Sequence, residues 1–160
     1  MSVINRINQK RIRNEIKMLK KDPIENIEVY VDEKNMLDWY FLMHGRDDSD
    51  YKGGEYIGKV MNSPEYPFKP PDFMMLTPNG RFTAGKKICL SNSKYHSDEW
   101  SSMWNMKAII LGFESIMVDD KDKGISHIKV SKDERATFAN KSKSYNASHF
   151  PNIMKNFIKK

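Results

Sequence analysis

Residues 63–73 read SPEYPFKPPDF and place four of the seven prolines of the chain within eight residues. Proline lacks a backbone N–H and clashes with the preceding helical turn, so this stretch excludes a helix interior and a central strand. We predict a rigid, exposed connector of extended backbone. The fold class then follows from the patterns on either side of it.

Upstream of this connector, the patterns predict one helix followed by three strands. Apolar residues recur near helical spacing from Ile4 to Leu19, and Pro23 ends that helix because it disfavours helical backbone at Asp22. Three runs rich in β-branched and aromatic residues follow, separated by polar turns, which is typical of antiparallel strands. They are NIEVYV at 26–31, MLDWYFLMH at 36–44 and GGEYIGKVM at 53–61.

Downstream of the connector, a short run, DFMMLT at 72–77, precedes a long irregular segment over about 77–104. Loops of that length are usually functional or disordered, and the tryptophans within this one favour order. Met106 to Met117 predict an apolar central helix, and SKDE at 131–134 is a capping box that opens a third helix. SHFPN at 148–152 separates a last short helix. We predict an α+β fold in a single domain, 1–160.

The net charge of +6 is unevenly distributed along the chain. Residues 1–21 hold seven Lys/Arg and one acid, residues 22–120 hold ten and seventeen, and residues 121–160 hold ten and three. The acidic middle disfavours a nucleic-acid-binding domain, whereas a basic first helix fits an acidic protein partner. Because no run is long enough to span a membrane and no signal core is present, we expect a soluble, cytoplasmic protein.

The chain has one cysteine, Cys89, within KKICLSNSKYHSDEW at 86–100. A lone cysteine most often packs as an inert small hydrophobe, and it excludes a disulfide framework within the monomer. The four histidines are scattered, so we expect no metal site and no cofactor. A Cys–His protease with Cys89 and His96 remains conceivable, although no known local signature matches.

Several stretches, taken in order, resemble the ubiquitin-conjugating enzymes over about residues 4–158. The strings that carry the resemblance are LDWYFLMHGRDDSDYKGGEY at 37–56, YPFKPP at 66–71, TPNGRF at 77–82, ICLS at 88–91 and DEWSSMW at 98–104. The Thr-Pro-Asn string, in place of the common His-Pro-Asn, is most similar to the subclass of endoplasmic-reticulum-associated degradation. That subclass carries a C-terminal membrane tail in eukaryotes, and this sequence stops without one.

The resemblance implies the ubiquitin-conjugating fold: an N-terminal helix, an antiparallel strand meander, a long active-site loop, a central helix and C-terminal helices. It implies that Cys89 accepts ubiquitin as a thioester and releases it to lysine, and also to Ser or Thr hydroxyls. Asn79 matches the family's asparagine, whose amide either donates to the oxyanion or braces the turn. Where other members place an acidic residue this chain has Ser91, so His96 is the candidate base, or else it orders the loop.

The resemblance also implies the partners: ubiquitin, a ubiquitin-activating enzyme and a ubiquitin ligase of the RING type. Lys10 and Arg11 match the basic face that the activating enzyme contacts. Phe68, Ser102 and Met103 match the two ligase-docking loops, with Ser102 in place of the family's usual proline. We expect an active monomer, and two alternatives stay open: an inactive ubiquitin-binding scaffold of the same fold, or a basic nucleic-acid-binding domain.

Overall fold

A five-stranded antiparallel sheet organises the chain, and the computed structural model describes residues 3–88, 100–121 and 126–157, with side chains in these ranges from residue 6 onward. The helices are α1 (Val3–Lys21), α2 (Met106–Val118), α3 (Lys132–His149) and α4 (Pro151–Met154). The strands are β1 (Ile27–Val31), β2 (Asp38–His44), β3 (Glu55–Met61), β4 (Asp72–Met75) and β5 (Lys87–Ile88). The α+β class and the antiparallel meander predicted from the sequence are confirmed.

The strands lie side by side in chain order, and each neighbouring pair is antiparallel. Because side chains alternate between faces along a strand, Trp39 and Phe41 of β2 point to one face of the sheet and Tyr40 and Leu42 to the other. Gly58 of β3 pairs with Phe41, and a Cβ at Gly58 would lie 2.1 Å from the Phe41 ring. The missing side chain therefore leaves the space that the Phe41 ring occupies.

Helix α2 packs on the Trp39–Phe41 face and carries the centre of the main core. Its Phe113 stacks on Phe73 with ring centroids 4.4 Å apart and on Phe82 at 5.3 Å, and it meets Phe41 edge-on at 6.0 Å. All four rings are buried. The Asn105 side chain caps the helix by accepting a hydrogen bond from the Ala108 N–H. Aromatic pairs of this kind add about 0.5–1.5 kcal/mol each beyond area burial, so α2 is held firmly to the sheet.

The C-terminal segment packs on the opposite face of the sheet. The Phe157 ring meets Tyr30 edge-on at 5.0 Å, and Tyr30 stacks on Tyr40 at 5.2 Å. The second apolar cluster joins these rings to side chains of the sheet and of the segment that includes α4: Leu42, Ile57, Leu76, Phe150, Ile153 and Met154. The predicted break between the last two helices is confirmed, because α3 ends at His149 and Pro151 opens α4.

Among the described residues of the segment predicted to be irregular over 77–104, there is one short strand, β5. It pairs with β4 through Phe73 with Ile88 and Met74 with Lys87. Two residues are too few to show an alternating pattern, so the strand depends on the tertiary partner that β4 provides. Within the described ranges, no helix is both long and apolar enough to cross a bilayer.

Candidate active site

Two predicted site residues, Cys89 and His96, lie outside the described residues, so the geometry concerns the segments around them. Strand β5 ends at Ile88, the residue before Cys89. The Ser126 hydroxyl donates to the Lys87 carbonyl at 2.8 Å, and the Ser126 carbonyl accepts from the Thr83 N–H at 2.8 Å. Ser126 makes these contacts with φ +75°, a conformation that favours glycine. The backbone leading to Cys89 is thus fixed by β4 and by Ser126.

Asn79 is buried and bonds only to the turn that contains it, as far as the described residues show. Its Oδ1 accepts from the N–H groups of Arg81 and Phe82, both at 2.8 Å, and its Nδ2 donates to the Thr77 carbonyl at 2.9 Å. Gly80, inside the turn, has φ +84°, and a Cβ there would lie 2.9 Å from the Arg135 Cγ. These contacts fit the bracing role of Asn79.

Thr77 fastens the same turn to β3 and α3. Its hydroxyl oxygen accepts from the Ile57 N–H at 2.9 Å and its proton goes to the Asn146 Oδ1 at 2.5 Å. The Asn146 Nδ2 in turn donates to the Glu55 carbonyl at 2.8 Å. Thr77 and Asn146 are both fully buried. Thr77 therefore has a structural role, and its partner Asn146, 69 positions away, carries no sequence signal of its own.

Arg81 and His127 form a partly buried polar contact that the sequence prediction missed. The Arg81 NH1 donates to the His127 Nδ1 at 3.0 Å, so a neutral His127 carries its proton on Nε2. The Arg81 NH2 donates to the carbonyls of Ile116 and Asp119, each at 3.2 Å. Arg81 thereby ties the turn after Asn79 to the end of α2. The sequence signal that could have indicated this contact is an arginine directly after Asn-Gly.

A second buried arginine, Arg135, connects the turn to two carboxylates. Its Nε donates to the Gly80 carbonyl at 3.1 Å, its NH1 and NH2 bind Asp120 at 3.0 Å each, and NH1 also binds Asp50 at 3.1 Å. The hydrogen bonds from Arg135 hold the pKa of Asp120 below its ordinary value. Asp120 is therefore a structural anion of the site and poorly suited to act as a general base.

Replacing Asp120 with asparagine is expected to lower stability in a pH-dependent way. The pKa of Asp120 is lower in the folded state, so its contribution is present above the unfolded pKa of about 3.9 and is lost as the pH falls through the folded value. We expect Asp120→Asn to cost about 1–2 kcal/mol at neutral pH, discounted for partial exposure, and much less near pH 2. Urea unfolding across pH measures this, with the exposed Asp48→Asn as the control. A cost that does not change with pH would contradict the expectation.

The predicted ligase-docking residues occupy two neighbouring loops that are joined by a hydrogen bond. The Trp100 Nε1 donates to the Pro67 carbonyl at 2.9 Å, which links the residue before Phe68 to the segment containing Met103. Phe68 is 54% exposed and Met103 is 86% exposed. Large apolar side chains so exposed on linked loops form the kind of small patch that protein partners bind. Ser102 contributes its carbonyl to an internal contact with Arg11.

The two residues predicted to contact an activating enzyme differ in exposure. Arg11 donates to the carbonyls of Ser102 at 2.6 Å and Trp104 at 2.7 Å, and its Nε binds the buried Glu15 at 2.8 Å. Lys10 is exposed on α1. The guanidinium of Arg11 is therefore used to hold the 100–104 segment against α1, and Lys10 is the freely accessible cation of the pair.

Comparisons with known proteins identify the family. The family model described as "UQ_con: Ubiquitin-conjugating enzyme" matches residues 11–147. The chain is 38% identical over 136 residues to "Ubiquitin-conjugating enzyme E2 J2-like" of Dictyostelium discoideum, which covers 85% of this chain and 79% of that protein. It is 36% identical over 149 residues to "Ubiquitin-conjugating enzyme E2 J1" of Homo sapiens, which covers 93% of this chain and 46% of that protein. The chain spans about half the length of several such relatives.

A solved structure supports the same fold. "Structure of human Ubiquitin-conjugating enzyme E2 G1" matches with a TM-score of 0.59 and 22% identity, covering 68% of this chain and 92% of that one. At this identity the match concerns the fold alone, whereas the family model and the relatives concern the sequence. Taken together with the turn around Asn79 and the strand that leads to Cys89, they show that the chain belongs to the ubiquitin-conjugating enzyme family.

Proposed function

We propose that this chain accepts ubiquitin on Cys89 as a thioester from an activating enzyme and transfers it to an acceptor, usually with a ligase bound. The observation that carries the proposal is family membership in a chain whose one cysteine directly follows β5. The thioester forms when the Cys89 thiolate attacks the activated ubiquitin carboxyl group and displaces the thiol of the activating enzyme. An acceptor amine then attacks the thioester carbonyl and releases the Cys89 thiolate.

The direct test is to incubate the chain with ubiquitin, an activating enzyme and ATP. We expect an adduct heavier by one ubiquitin that disappears on treatment with a reducing thiol. Omitting ATP is the control, because activation of the carboxyl group requires it. Failure to form the adduct would favour the inactive scaffold of the same fold, a reading that the presence of Cys89 already disfavours. Binding to random DNA that weakens with salt would instead support the nucleic-acid alternative.

At a finer level, we assign the chain to the subclass that carries Thr-Pro-Asn, and we propose that it transfers ubiquitin to hydroxyl groups in addition to lysine. Thr77, the first residue of this motif, is buried and bonds to Ile57 and Asn146. A hydroxyl acceptor needs a base during attack, and an imidazole with an unperturbed pKa of about 6.5 can provide it. His96 is the proposed base, with ordering of the loop as its alternative role.

Replacing His96 with glutamine is expected to slow transfer to hydroxyls. Glutamine keeps hydrogen-bonding capacity and removes the base, so transfer to free serine or threonine should fall by about 10²-fold, and transfer to free lysine at high pH should fall less. Single-turnover discharge of preloaded enzyme across pH measures both rates. Unchanged rates for both acceptors would show that His96 only orders the loop.

The ligase-docking role proposed for Phe68 and Met103 predicts a selective defect. Phe68→Ala should reduce ligase-stimulated transfer about tenfold or more, since a central interface anchor is worth at least 1–2 kcal/mol. Because Phe68 is half exposed, the alanine variant should keep its fold, and loading with ubiquitin should therefore stay near normal. Met36→Ala, an exposed apolar residue in another loop, is the matched control. Loss of loading together with a lower Tm would instead show that Phe68 stabilises the fold.

Lys10 on α1 is proposed to contact the activating enzyme, and Arg11 to support that face through its bonds to the 100–104 segment. Residues 1–160 are proposed to form one catalytic domain that works as a monomer in the cytoplasm without a cofactor.

A further inference from the structure

From Val29 onward, strand β1 has an edge whose outward backbone groups have no hydrogen-bond partner among the described residues. It lies at one end of the sheet, where β2 is its one neighbouring strand among the described residues, and Ile27 at its start also forms an isolated bridge with Ile24. The Asn26 carbonyl accepts from the His44 N–H at 2.9 Å, and the Asp32 N–H donates to the Asp38 carbonyl at 3.1 Å. In an antiparallel pair such bonds alternate, so the even-numbered residues between them face β2. Val29 therefore points its N–H and C=O away from the sheet, as does Val31.

Three of the devices that block pairing with another strand, namely proline, lysine and a bulge, are absent from this edge. Natural proteins protect edges with proline, lysine, a bulge or a covering segment. The sequence of β1 is IEVYV, without proline or lysine, and its register with β2 runs unbroken from Ile27 to Val31. The edge is thus a ready template for an added strand.

A groove of about 820 Å³ follows the same edge. Its walls come from the end of α1, from β1 and from the C-terminal segment, and they are mainly apolar. The apolar lining residues on the α1 side are Ile16, Leu19, Pro23 and Ile24. Val29 and Val31 line it from the strand, and Phe157 lines it from the far side. A peptide that pairs with β1 could place alternate apolar side chains into this groove.

The end of α1 that borders the groove is basic. Lys20 lines the groove, and Lys17 and Lys21 are exposed on the same helix. None of these three lysines takes part in an ion pair among the described residues. The one carboxylate in the lining, Glu28, bonds to His44 at 3.1 Å. Acidic side chains on an incoming strand would therefore meet available cations.

We propose that this groove binds an extended acidic segment of a partner protein, which adds to the free edge of β1 as a sixth strand. Main-chain hydrogen bonds to Val29 and Val31 provide affinity. Because side chains of the added strand alternate between faces, its apolar side chains pack on Tyr30 and Phe157 on one side, and its acidic side chains reach over α1 to Lys17 and Lys20 on the other. The surface is separate from Phe68 and Met103. It lies at the C-terminal end of α1, whereas Arg6 lies near the N-terminal end of that helix.

The probe is a short fluorescent peptide in which valine and glutamate alternate, and binding is followed by anisotropy. We expect saturable binding that weakens with salt. Val29→Pro removes the outward N–H and leaves the bonds to β2 intact, so it should weaken binding about tenfold. Val29→Thr keeps the N–H and the β-branched shape and should bind like the wild type. Circular dichroism and ubiquitin loading check that each variant is folded. If the wild type also fails to load ubiquitin, that result contradicts the proposed function and leaves the peptide-binding test unaffected.

Charge reversal gives an independent test. Lys17→Glu with Lys20→Glu should weaken binding about tenfold, whereas Lys132→Glu with Lys141→Glu, an equal charge change on α3, should have little effect. A peptide with alternate N-methylated amides should not bind, which keeps the test valid if Val29→Pro does not fold. Absence of saturable binding, or binding unaffected by Val29→Pro and by N-methylation, would overturn the proposal. A dimer that the peptide dissociates in sedimentation velocity would overturn the partner assignment in favour of a second copy of the chain.

Discussion

Replacing Cys89 with alanine is expected to abolish the ubiquitin adduct completely, and replacing it with serine is expected to give an adduct that resists reducing thiols. The chain has no second cysteine that could take over, so loss of this thiol removes every thioester. Serine is a weaker nucleophile but forms an oxygen ester, which a thiol does not readily exchange. The measurement is a non-reducing and reducing gel of each variant after incubation with ubiquitin, activating enzyme and ATP.

The wild type on the same gels is the control, because its adduct should vanish on reduction while the serine adduct persists. Each variant should keep the wild-type Tm to within a few degrees if the thiol serves chemistry and does not fill the core. Normal charging of Cys89→Ala would contradict the proposed function outright.

Replacing Asn79 with alanine is expected to damage both the turn and catalysis. The Asn79 Oδ1 accepts from two backbone N–H groups, those of Arg81 and Phe82, and both would be buried without an acceptor in the variant. An unsatisfied buried donor costs about 1–3 kcal/mol, so we expect a loss of about 2–4 kcal/mol in the free energy of unfolding. Loading and discharge should then slow together, since both use the same braced loop.

Asn79→Asp is the matched variant that separates the two roles of this residue. Aspartate keeps the acceptor for Arg81 and Phe82 but has no amide to donate to the Thr77 carbonyl, so under the bracing role it should recover part of the stability that alanine loses. If Asn79 instead donates to the oxyanion, both variants should load normally and discharge about 10²–10³-fold more slowly. Tm, single-turnover loading and single-turnover discharge of the two variants decide between these results.

The fold was largely predictable because its main elements have local sequence signals. Pro23 marks the end of α1, the capping Ser131 accepts from the Glu134 N–H at 3.1 Å as the box predicts, and Pro151 opens α4. β5 was not predictable, since a two-residue strand exists only through its pairing with β4. The packing of the C-terminal segment on the outer face of the sheet also has no local signal.

The contacts that hold the site in place were less predictable than the fold, because they join distant parts of the chain. Arg135 reaches Asp50 across 85 positions and Gly80 across 55, and nothing local distinguishes it from a surface arginine of α3. Arg11 is a second example. Helical spacing places it off the apolar stripe of α1, yet the 100–104 segment lies over it and accepts its hydrogen bonds.

The packing of the C-terminal segment has a practical consequence for anyone who expresses this domain. The family match ends at residue 147, whereas the cluster on the outer face uses residues up to Phe157. A recombinant protein trimmed to the family boundary would uncover Leu42, Ile57 and the two stacked tyrosines as one contiguous apolar surface. Such a surface invites self-association and poor recovery from cells, so the chain should be kept through Phe157 when boundaries are chosen for purification.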